Sequence, residues 1–142
     1  MRKWKIAVVG LVLALGVAQL IQPERTNPPA DPQFSFAALV RPPERVTQIL
    51  GRSCGDCHSS QTVWPWYSKV SPVSWLIAGD VTEGRSKLNF SQWNIYSPEM
   101  SRLRIKAVCA QVKSGDMPPW YYKPMHPGAS LSAEDVAAIC AL

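Results

Sequence analysis

"SCGDCHSS", residues 53–60, is the stretch that decides how this chain is read. The chain has four cysteines and two histidines, and two of those cysteines and one histidine fall between Cys54 and His58. On a helix, positions i, i+3 and i+4 share one face, so Cys54, Cys57 and His58 present two sulfurs and an imidazole to the same side. That arrangement suits covalent attachment of haem: each thiol adds across a vinyl group, and the adjacent histidine becomes the proximal iron ligand. Two other chemistries use paired cysteines. A zinc site would recruit Cys109 and Cys140, at intervals that match no finger or ribbon. A thioredoxin-like dithiol belongs after a strand in a βαβ pattern, and none is visible. The motif points first to one c-type haem per chain, with a metal or dithiol site as the alternatives.

Toward the N-terminus, Arg2, Lys3 and Lys5 precede an apolar run from Ile6 to Ile21 interrupted by Gln19. A basic segment followed by an apolar one is the pattern of an export signal or a short membrane anchor. As a helix this run would span roughly 24 Å, a little under the ~30 Å hydrocarbon core. Gly16, Val17 and Ala18 offer small residues for cleavage, but Leu20 and Ile21 prolong the run and favour an uncleaved anchor. Residues 1–21 are therefore expected to form a signal or membrane helix. The rest is expected in the periplasm, outside the cytoplasm where c-type haem is attached. The formal net charge is +5, of which Arg2, Lys3 and Lys5 supply three, leaving +2 for the remainder. Such a balance makes no case for nucleic acid.

Proline-rich residues 22–37 read as an extended tether. Residues 38–142 are then one small domain in which a haem would form a substantial part of the core. Its pattern is helical, with almost no strand signal. "RPPERVTQILGRSC", residues 41–54, places Val46, Ile49 and Leu50 at helical spacing and runs into the cysteine motif. A second helix is expected over residues 71–88, with Ser71 as N-cap, Pro72 at its first position and Gly84 near its end. A third starts at Ser97-Pro98-Glu99 and stops at Gly115, and a last one begins at Ser132, where Asp135 completes a capping box.

A haem iron needs a sixth ligand. "KSGDMPPWYYKPMHPG", residues 113–128, holds the candidates Met117, Met125 and His126. Met117 is favoured, because Gly115 ends a helix and Pro118 and Pro119 stiffen the chain just after it. His126 is the alternative ligand. Met117 as gap-filling core remains the plain structural reading.

With these residues in view, the chain resembles a small single-haem cytochrome c. More narrowly, "CGDCHSSQTVWPWYSKVSPVSWLIAGDVTEGRSKLNFSQW" and "GDMPPWYYKPMHPGASLS" resemble the bacterial haem-binding-domain family of exported, cytochrome-c-like proteins. The resemblance covers roughly residues 40–142. It implies an all-α, cytochrome-c-like fold around covalent haem, with Cys54, Cys57 and His58 in the attachment motif and Met117 in the distal loop.

Other residues invite assignment. Arg85, Asn89 and the indole of Trp93 are candidates for haem propionates or the crevice wall, since buried carboxylates need donors. Cys109 and Cys140 lie on apolar helical faces and are expected to form a disulfide in an oxidising compartment. Function then divides into an electron carrier that meets redox partner proteins, which is favoured, and a haem-based ligand sensor or peroxidase-like enzyme whose distal methionine leaves.

Overall fold

The computed structural model describes residues 2–142. Six α-helices and several short 3-10 turns make up the regular structure, with no strand among the described residues. Local chemistry explains most of the boundaries. Helix α3, Glu44–His58, follows Pro42 and Pro43 and buries Val46, Ile49, Leu50 and Ser53 along one face. It continues without a break through both cysteines, so the i, i+3, i+4 geometry of the motif is kept. Helix α5, Pro98–Ser114, starts where the Ser97 hydroxyl accepts from the Met100 amide and ends at Gly115, whose φ of 80° is left-handed. Helix α6, Ala133–Cys140, opens on a reciprocal capping box between Ser132 and Asp135. Helix α4, Val73–Lys87, differs from its sequence reading. Pro72 occupies the cap position with no side-chain bond, and Gly84 lies inside the helix. The Ser71 hydroxyl pairs instead with that of Ser74, 3.0 Å away.

Helix α3 packs on α4 and α6, and α5 packs on α6. Phe36, Val46, Ile49, Leu50, Trp93 and Ile139 are all buried in the resulting core. Phe36 belongs to a short helix that periodicity does not reveal, α2, Phe36–Val40, capped by Ser35 and ended by left-handed Arg41. Cys109 and Cys140 are joined in a disulfide that ties α5 to α6.

The N-terminal segment requires two corrections. Helix α1, Arg2–Ala18, starts within the basic residues and stops before Ile21. At 1.5 Å per residue it reaches about 26 Å, and no helix among the described residues is long and apolar enough to cross a membrane. Residues 22–31 have no regular structure, Pro32–Phe34 form a 3-10 turn and α2 begins at Phe36, and the first part of this stretch is fastened to the domain. Gln19 accepts the Ser71 amide at 3.0 Å, and Gln22 donates to the Ser71 hydroxyl at 2.9 Å. The Trp75 indole donates to the Ile21 carbonyl at 2.7 Å, and Asn27 donates to the Thr62 carbonyl at 2.9 Å. Arg85 completes the strap by donating to Thr26 O and Asn27 Oδ1.

Candidate functional site

Helices α3, α4 and α5 and the loop after Gly115 surround a cavity of about 480 Å³, within the ~300–1,000 Å³ range of cofactor sites. Cys54, Cys57, His58 and Met117 all line it. His58, at the end of α3, has Nδ1 3.0 Å from the Gly84 carbonyl and 3.1 Å from the Leu88 carbonyl. Carbonyls only accept, so Nδ1 carries the proton and Nε2 keeps the lone pair that a metal needs. Burial pushes the His58 pKa down, against the opposing pull of the Leu88 and Gly84 carbonyls, so the ring is neutral at pH 7. The backbone holds the same residue from its other side: the Phe90 amide donates to the His58 carbonyl at 2.8 Å, and the Phe36 amide to the Phe90 carbonyl at 2.7 Å.

Gly84 makes this clamp feasible. A Cβ there would lie 2.5 Å from the Cys57 carbonyl oxygen and 3.1 Å from Cys57 Cβ. Only a residue without a side chain lets α4 approach the cysteine motif closely enough for its carbonyls to reach the imidazole.

Both cysteines of the motif are free and half-buried. Burial, aided by Cys57, pushes the Cys54 thiol up to about 12. Burial and then Asp80 and Asp56 raise that of Cys57 to about 11. Both are therefore neutral thiols at pH 7, unlike the activated thiolates of disulfide-exchange sites. The zinc alternative also loses its outer ligands, because Cys109 and Cys140 are bonded to each other. Asp56, inside the motif, fastens two loops to α3: the Val63 amide donates to Oδ1 at 3.0 Å and the Tyr122 hydroxyl to Oδ2 at 2.7 Å. Burial and then this bond raise the Tyr122 pKa, keeping the phenol a donor.

Met117 reaches the cavity because the chain turns back after Gly115, with the Met117 amide donating to the Gln111 carbonyl at 3.2 Å. The other candidate ligands lie elsewhere. His126 stacks on Tyr122, ring centroids 3.9 Å apart, and its Nδ1 is 3.2 Å from the Tyr122 carbonyl. Met125 is 55% exposed. Neither lines the cavity.

Arg85, Asn89 and Trp93 are not cavity residues either. Arg85 is taken up by the strap and by the Ser59 carbonyl and Thr62 hydroxyl, both at 2.8 Å. Asn89 Oδ1 accepts the Ser91 amide, and the Trp93 indole donates to the Ser101 hydroxyl. Trp93 is a core residue, stacked on Phe90 and set edge-on to Phe36. Sequence reasoning missed Gly84, Tyr122 and Arg104. For Arg104 a signal existed: it lies one turn before Val108 and two before Val112, a cation in line with an apolar stripe.

The donor set fits haem. Two neutral thiols, an imidazole with a free nitrogen and a thioether face a space walled by Leu88, Phe90, Val108, Val112 and Pro118. A second, open groove of about 530 Å³ lies between Pro23, Glu24 and the outer face of α4. It has no cysteine, histidine or methionine, and so none of the ligands that the haem reading calls for. A family model described as a haem-binding domain matches residues 13–142. Neither the curated proteins nor the solved structures contain a match.

Proposed function

This chain belongs to the haem-binding domain family, and we propose that it is an exported single-haem c-type cytochrome that carries electrons one at a time between redox partner proteins. Cys54 and Cys57 are the thioether attachment points, His58 Nε2 is the proximal ligand and Met117 the distal one. The arrangement is read as cytochrome-c-like, with α3 carrying the motif, α5 and α6 closing the core and the Met-Pro loop opposite. When bound, the haem supplies a one-electron iron couple whose potential a thioether raises relative to a second imidazole.

The remaining tasks fall to the chain. The Gly84 and Leu88 carbonyls fix the His58 tautomer and ring plane, as outer-shell acceptors do for metal-bound histidines. The neutral thiols of Cys54 and Cys57 retain the protons that addition to vinyl groups consumes. The apolar walls exclude water, and Met117 fills the position that a small substrate would need. That last point favours a carrier over a sensor or a peroxidase-like enzyme. Export follows from the chemistry of thioether attachment and from the basic residues that precede the apolar stretch of α1.

The observation that carries the reading is the convergence of Cys54, Cys57, His58 and Met117 on one apolar cavity, with His58 Nδ1 already committed to two carbonyls. Acid-acetone extraction of protein produced with a haem-attachment system tests it. The haem is expected to stay with the polypeptide; haem that partitions wholly into the solvent would sink the covalent assignment.

A further inference from the structure

Apart from Glu83, one turn before Lys87 on α4, the charged side chains lining the cavity are arranged by sign. Asp80 accepts from the Tyr121 hydroxyl at 3.2 Å and Asp56 from that of Tyr122 at 2.7 Å, which puts both carboxylates beside the Met117 loop. The two cations of the lining, Lys87 and Arg104, lie at the other end. Lys87 is roughly 10 Å along α4 from Asp80, at 1.5 Å per residue. Arg104 packs its guanidinium over the Tyr96 ring, 5.6 Å from the centroid, and the Tyr96 hydroxyl accepts the Asn89 amide at 3.1 Å, just past Lys87.

Arg104 is also incomplete. Its Nε is buried and has no hydrogen-bond partner among the described residues. A buried guanidinium N–H without an acceptor is costly. Nε is covered by protein, so an anion in the cavity would meet the terminal nitrogens of the guanidinium, which belongs to the cavity lining. The arginine expected to meet such an anion, Arg85, has all three of its nitrogens engaged by protein oxygens.

We propose that Arg104 is the residue that receives a haem propionate, through charge-assisted hydrogen bonds from its terminal guanidinium nitrogens, with Lys87 as the second cation at that end. The inference rests on the haem assignment above and adds the orientation of the group. Vinyls and propionates lie on opposite sides of the macrocycle. Thioethers at Cys54 and Cys57 together with a propionate at Arg104 would select one way for it to enter. The carboxylates are kept from the Asp56–Asp80 end, where they would meet like charge.

Haem-loaded wild type, Arg104→Met, Arg104→Lys and Arg102→Met are compared by resonance Raman spectroscopy and by redox titration. In Arg104→Met the propionate bending mode should shift and the midpoint potential fall, because a positive charge beside the iron's own charge is gone. Arg104→Lys should keep most of the potential while still shifting the mode, because the charge remains and the planar guanidinium donors do not. It also keeps the test decisive if the methionine variant fails to fold. Arg102, exposed on the same helix, reports any general effect of removing charge and should move neither readout. An unmoved propionate mode in the Arg104 variants, or equal potential shifts at positions 104 and 102, would overturn the inference. Wild-type protein that takes up no haem would overturn the proposed function as well, so the two failures are told apart by the pigment of the wild type.

Discussion

Replacing Gly84 by alanine puts one carbon where α4 meets the cysteine motif, and the cost can be worked from the contact. The new Cβ would sit 2.5 Å from the Cys57 carbonyl oxygen. A carbon normally keeps about 3.3 Å or more from a carbonyl oxygen, so the helices must part there by roughly 0.8 Å. Moved that far, the 3.0 Å bond from His58 Nδ1 to the Gly84 carbonyl passes the ~3.2 Å upper end of good geometry. Overpacking of this kind costs about 1–3 kcal/mol, and a weakened hydrogen bond adds about 1 kcal/mol. Against this, alanine in a helix interior gains about 1 kcal/mol over glycine. Gly79, on the same helix with nothing within 4 Å of its virtual Cβ, receives the gain alone. The two alanine variants should therefore differ by about 2–4 kcal/mol, the shared propensity gain cancelling. In urea that is a midpoint separation on the order of 1–2 M, followed by far-ultraviolet circular dichroism. Equal midpoints for Gly84→Ala and Gly79→Ala would mean that α4 does not press on Cys57, and the account of the histidine clamp would fall with it.

Three further outcomes follow from other parts of the site. In the haem-loaded protein, Met117→Ala should abolish the near-infrared sulfur-to-iron band and admit cyanide or carbon monoxide; a spectrum identical to wild type would move the ligand elsewhere. Replacing Cys109 and Cys140 together by serine opens a ring with a sequence separation of 31 that contains the Met117 loop. The loop-entropy model puts the loss at about 3–4 kcal/mol, read as a lower thermal midpoint and easier displacement of Met117 by imidazole. Two titratable thiols in unfolded, unreduced haem-loaded wild type would refute the bridge. Asp135 is held below the usual carboxylate range, first by the Ser132 amide and, after the opposing effect of desolvation, by Arg52. Its contribution is full above about pH 4 and is lost as pH falls through the folded value. Asp135→Asn should flatten the acid limb of stability against pH, and an unchanged limb would argue against the pairing.

The parts of this molecule legible in its sequence are those decided by neighbours in the chain. Ser97, Gly115 and the Ser132/Asp135 pair act within one helical turn, so their helix ends can be read directly, and the Cys54–Cys57–His58 face follows from helical spacing. The location of Met117 beside the cavity depends on a glycine and two prolines next to it. What could not be read depends on distance. Gln19 meets Ser71, separated by 52 residues, and Asn27 meets Thr62 across 35; a proline-rich stretch gives no sign that its polar side chains have acceptors waiting. Arg85 and Arg104 are equally plausible anion donors in sequence. Only the packing reveals that one has all three nitrogens engaged by protein oxygens and the other does not. Gly84 resembles a helix terminator until the approach of α3 explains why it is needed inside one.

The strap from Gln19 to Asn27 has a mechanical consequence. As a free coil, the sixteen positions expected to act as a leash would let the domain wander roughly 20–24 Å from its point of attachment. Stapled along Ser71, Trp75, Thr62 and Arg85, they act as a bracket whose angle is set by the domain itself. Whatever holds α1 then also aims the cavity. On the proposed function, a redox partner would have to come to that fixed heading, and encounter would depend on its own freedom to turn and approach.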